Sequence, residues 1–143
     1  MENTVLLIVD MQEGLLKRHP YREEQLLSNI TSLAGTAREN GIEVIYFRHN
    51  GGKGSPLEKG TADWEICKSL YPRENDGVFD KNFNSAFKET GLKAYLDSKM
   101  VKNIILTGLQ TEYCIDATCK AAFEYGYKII IPKCLSLIHI SEP

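Results

Sequence analysis

The chain has 143 residues, of which 43% are hydrophobic and 25% charged, and it carries a net charge of −2. That length allows one domain with a real core and leaves no room for a second. The charge gives no general attraction to nucleic acid or anionic membrane, no apolar run approaches the ~20 residues that span a bilayer, and no signal-like leader opens the chain, so the cytoplasm is the expected location.

Val5-Leu6-Leu7-Ile8-Val9 is a continuous apolar run closed by Asp10, the pattern of a strand covered on both faces. From Arg22 to Asn40, Leu26, Leu27, Ile30, Leu33 and Ala37 recur at helical spacing, with Gly41 as the stop. Ile42 to Phe47 reads as a second strand, Asn50 to Gly60 as a surface loop, and Trp64 to Tyr71 as a short helix ended by Pro72. A brief strand at Val78-Phe79 precedes a polar loop that contains Lys81. Helix, strand, helix and strand then follow over Leu92 to Met100, Asn103 to Leu106, Glu112 to Tyr125 and Tyr127 to Ile131.

Strands separated by helices predict right-handed crossovers and a doubly wound, mostly parallel α/β sheet with helices on both faces. Sites in such sheets form beyond the carboxyl ends of the strands, where Asp10, Lys81 and Cys114 all fall. The domain is expected over residues 1–133. Residues 134–143 end in SLIHISEP, which looks like translated cloning-adaptor sequence. On that reading the tail is non-native, the domain lacks its final helix and strand, and Tyr127 to Ile131 is left as an unpaired apolar edge.

Cys67, Cys114, Cys119 and Cys134 have neither CxxC nor Cys/His spacing, so disulfides and zinc are both poor readings. Cys114 differs from the others by its place. It follows the strand Asn103 to Leu106 and opens a helix, where free N–H groups and the helix dipole are expected to lower a thiol pKa. Thr111 is placed as the N-cap. Asp10, at the end of an apolar strand, is placed where desolvation raises a carboxylate toward the range of a base. Lys81 by itself reads as solvated charge, or as a partner of Asp80. No Gly-rich phosphate loop is present, which leaves a nucleotide-binding module with little support.

Taken together, LLIVDMQ (Leu6 to Gln12), K-x-x-x-S-A-F (Lys81 to Phe87) and TGLQTEYC (Thr107 to Cys114) resemble the isochorismatase-like cysteine hydrolases. The resemblance covers Thr4 to about Ile131. It implies a roughly six-stranded parallel sheet, a triad of Asp10, Lys81 and Cys114, and a cis peptide at Leu109-Gln110 that aims the N–H groups of Gln110 and Cys114 at an oxyanion. Gln12, Leu16, His49, Trp64 and Tyr113 are candidate pocket residues.

Nicotinamidases of this superfamily bind metal through an Asp-x-His and a further histidine. Here Phe47-Arg48-His49-Asn50 offers one imidazole, so no metal and no cofactor are expected. The implied activity is metal-independent hydrolysis of a small amide, carbamoyl or ureide substrate through a thioester. The alternatives are vinyl ether hydrolysis of the isochorismatase type, or a silent module that binds a small ligand. A homodimer or larger homo-oligomer is the expected assembly.

Overall fold

A computed structural model describes residues 2–109 and 111–132, apart from the side chains of Thr111 and Glu112. Its centre is a five-stranded, all-parallel sheet in the order β3-β2-β1-β4-β5. The strands are β1 (Thr4–Val9), β2 (Glu43–His49), β3 (Gly77–Lys81), β4 (Asn103–Gly108) and β5 (Lys128–Ile130). The helices are α1 (Glu13–Leu16), α2 (Glu23–Glu39), α3 (Leu92–Ser98) and α4 (Asp116–Glu124). The order reverses direction between β1 and β4, which opens a crevice at their carboxyl ends.

β1 explains why its sequence is apolar throughout. Successive side chains point to opposite faces of a strand. Val5, Leu7 and Val9 therefore enter one core, together with Leu92, Leu96 and Ala122, while Leu6 and Ile8 enter the other with Leu26, Ile30 and Ala34. The first core carries residues of α3 and α4, and the second carries the buried stripe of α2. Both faces are covered, so no polar position is tolerated between Val5 and Val9.

Several boundaries differ from the sequence expectation. Trp64 to Tyr71 is two short 3-10 turns, Ala62–Trp64 and Lys68–Leu70, rather than one helix. Lys81 is the last residue of β3 and is fully buried, not part of a polar loop. The segment before α4 is a π-helical turn, Thr111–Ile115, so Cys114 stands in a widened turn ahead of the α-helix. The expected stop at Gly41 holds, with a left-handed φ of 71° that glycine adopts at little cost. The last strand is shorter than expected, and among the described residues it pairs only with β4. The tail and the Leu109-Gln110 peptide lie outside the described residues.

Candidate active site

Three strand ends build the site. Asp10 follows β1 in a left-handed conformation, φ 59°, while its N–H still donates to Phe47 O at 3.0 Å. A non-glycine residue there costs about 1–3 kcal/mol, a strain that the surrounding sheet holds in place. Gly108 ends β4 at φ 129°, and the next N–H, that of Leu109, donates to Val9 O at 2.9 Å. The chain leaving β4 is thereby pinned against the end of β1, bringing the Cys114 turn over Asp10. Parallel register sets His49 of β2 opposite Lys81 of β3.

Lys81 is the hub. Its Nζ lies 3.2 Å from Asp10 Oδ2, 3.2 Å from Cys114 Sγ, 3.1 Å from His49 Nδ1 and 3.1 Å from Phe83 O. Asp10 is 2% exposed, Lys81 0% and Cys114 4%, so the three are withdrawn from bulk water. An ammonium only donates, so His49 Nδ1 accepts and its ring proton sits on Nε2. Burial, then the charge of Lys81, hold His49 below its ordinary pKa, in the neutral form that this contact needs. Asp80 pairs instead with Arg48 at 2.8 Å.

Burial raises the Asp10 carboxyl above its ordinary value, against the opposing pull of Lys81. This matches the sequence expectation. The thiol does the opposite of what was expected. Burial, followed by the adjacent Asp10 charge, pushes Cys114 up to about 11, with Lys81 only partly offsetting them. The helix-start argument fails because it weighed a partial dipole charge and left out a full carboxylate charge in a dry site. Alkylation of Cys114 by iodoacetamide is therefore expected to keep accelerating with pH beyond 9.0, the ordinary thiol value. A rate that levels off at or below that value rules out this reading.

The other candidates divide. Gln12 is fully buried, and its amide is used up on the backbone: Nε2 donates to His49 O at 3.1 Å and Trp64 O at 2.7 Å, and Oε1 accepts from His49 N at 2.9 Å. It ties the end of β2 to the turn at Trp64. Trp64 is buried, donates to Asn50 Oδ1 at 2.8 Å, and stacks under Arg48 at 3.9 Å. Leu16 belongs to the α2-side core, and Tyr113 is 57% exposed beside Cys114. Gln110 lies outside the described residues.

Sequence reasoning missed Asn84, whose Oδ1 is 3.8 Å from Cys114 Sγ, and the Phe83 carbonyl on Lys81. Asn84 sits within the recognised Lys81 to Phe87 stretch, but an asparagine in a polar loop has no signature of its own. Counting imidazoles also overlooked a mixed set: donor atoms of Asp10, His49 and Cys114 all lie within 4.8 Å of one another. A groove of about 850 Å³ lies elsewhere, at the amino ends of the strands. Within it Arg38 pairs with Asp76 at 2.6 Å and Lys99 with Glu43 at 3.6 Å.

The isochorismatase domain model matches residues 4–136. The chain belongs to the isochorismatase family. It is similar to streptothricin hydrolase of Streptomyces noursei, 29% identical over 129 residues covering 89% of this chain and 47% of that protein. It is also similar to ureidoacrylate amidohydrolase RutB of Acinetobacter baylyi, 27% identical over 88% of this chain and 67% of that protein. This isochorismatase-family chain thus spans about half of the first relative and two thirds of the second. Among solved structures, a cysteine hydrolase from Pseudomonas syringae pv. phaseolicola superimposes with a TM-score of 0.81 at 28% identity, covering 90% of this chain and 70% of that one. Among the described residues no helix is long and apolar enough to cross a membrane.

Proposed function

We propose that this isochorismatase-family chain is a metal-independent cysteine hydrolase that cleaves the C–N bond of a small amide, carbamoyl or ureide substrate. The observation that carries the reading is the Lys81 ammonium, 3.2 Å from both Asp10 Oδ2 and Cys114 Sγ. The similarity to an amidohydrolase and a cysteine hydrolase supports it.

Asp10 and Cys114 hold one proton and one negative charge between them, balanced by Lys81. Losing the thiol proton to solvent leaves a buried negative charge beside a first one; burial, then the Asp10 charge, is why the thiol titrates so high. Passing that proton to Asp10 adds no second charge. The thiol proton goes to Asp10 as sulfur attacks the carbonyl carbon. The C–N bond then breaks, and the amine leaves with the proton from Asp10. Water, deprotonated by Asp10, cleaves the thioester and restores the thiol. N–H groups of Cys114 and Gln110 are assigned the oxyanion.

Ammonia or amine release from a panel of carboxamides, carbamates and ureides tests the reading, combined with acid quenching and intact mass. The expected result is turnover of at least one class together with an acyl adduct on Cys114. Turnover without any adduct on that residue, or vinyl ether cleavage alone, overturns it.

A further inference from the structure

Lys81 does more than neutralise its neighbours. Its Nζ stands 3.1–3.2 Å from a carboxylate oxygen, an imidazole nitrogen and a thiol sulfur, with the Phe83 carbonyl as a fourth neighbour at 3.1 Å. Carboxylate, imidazole and thiolate are the donor types that zinc and similar thiol-seeking divalent ions select. The three donors lie within 4.8 Å of one another, and metal bonds of ~2.0–2.3 Å require each to draw in by about 1 Å. Asp10 contributes a further feature. Its second oxygen, Oδ1, is buried and accepts no hydrogen bond among the described residues, so the site holds acceptor capacity beyond what the ammonium uses.

We propose that Asp10, His49 and Cys114 form a latent zinc-type ligand set whose resident cation is the Lys81 ammonium, so that this side chain keeps thiol-seeking metals out of the site. The inference deepens the metal-independent reading above and rests on it only for the importance of keeping the thiol free. A divalent ion needs the position Nζ occupies, and with Lys81 fully buried a second cation has no water to screen it from the first. Binding also requires the thiol to surrender its proton to solvent. Vacating the ammonium removes the first obstacle and lets the metal charge overcome the second.

Co²⁺ titration in the absence of substrate tests this through the thiolate-to-metal absorption, with Zn²⁺ used to displace it. Lys81→Met is expected to bind one Co²⁺ per chain about 100-fold more tightly than wild type, the upper scale for a single neighbour that tunes a metal site. Adding Cys114→Ala or His49→Ala to Lys81→Met is expected to abolish the band. Lys81→Gln, which keeps a polar group of similar length, gives a second variant, and circular dichroism identifies those that are folded. Wild type binding Co²⁺ through its thiol as tightly as a folded Lys81 variant overturns the proposal. So does a folded variant that shows no thiolate band. Because the readout is metal binding, it stands or falls separately from amide hydrolysis.

Discussion

Replacing Cys114 with alanine is expected to abolish substrate turnover, by about a million-fold, the scale on which a nucleophile acts as a unit with its base. The sheet should be unaffected, since the side chain sits on a turn that follows β4 and not within a strand. Asp10→Asn is the companion variant. It keeps the shape but loses the proton acceptor, and a loss of about 100- to 10,000-fold is expected. The pH dependence follows from the direction of the Asp10 shift. A buried carboxyl raised above 3.8 is still protonated where an ordinary aspartate is ionised. Activity should therefore climb through an acid limb displaced upward from that value. The same shift acts on stability with the opposite sense: its contribution is present below the ordinary carboxylate range and is lost as pH rises through the raised folded value. Full turnover by Cys114→Ala in the ammonia assay would end the mechanism.

Gly108→Ala is the substitution expected to cost most in stability. A Cβ built there lies 2.0 Å from Val9 O and 2.7 Å from Val9 N, and the backbone φ of 129° is rarely adopted by residues with a side chain. Neither neighbour is a flexible side-chain end. Both belong to β1, whose pairing with β4 runs through Val9 and Gly108. Relief requires the two strand ends to part, which breaks the Leu109 N–H bond to Val9 O and separates the Asp10 and Cys114 turns. Strain and overpacking together put the cost at about 4 kcal/mol or more, against a typical total of about 5–15 kcal/mol. Gly35→Ala supplies the contrast. It lies inside α2 with nothing within 4 Å of its added Cβ, and helix propensity makes it neutral or stabilising by up to about 1 kcal/mol. Thermal melts of the two variants side by side check both; equal melting temperatures would show that the close approach at Gly108 is easily relieved.

Much of the fold was legible because its signals are local. The continuous apolar run of β1 reports burial on both faces, and the helical spacing of Leu26, Ile30 and Ala37 reports one buried helix face. Alternation of the two patterns yields a doubly wound sheet, and each of Asp10, Lys81 and Cys114 could be assigned to the carboxyl edge by chain order alone. The boundaries that went astray, such as the two 3-10 turns around Trp64 and the π turn at Cys114, depend on contacts with distant segments. Gln12, for example, shapes the first of these by bonding Trp64 O across 52 positions.

What the sequence determined by itself was the fold class and the three side chains, Asp10, Lys81 and Cys114, that gather at the carboxyl edge, because strand and helix periodicity and residue chemistry are carried by neighbours in the chain. The tertiary structure alone decided how those groups behave. Burial and the Asp10 charge reversed the expected acidity of the thiol. Strand register set His49 against Lys81, and the end of β3 carried that lysine from an apparent surface loop into a dry site. Electrostatic energies depend on distances between remote residues and on exclusion of water, and neither quantity is written in the order of the residues.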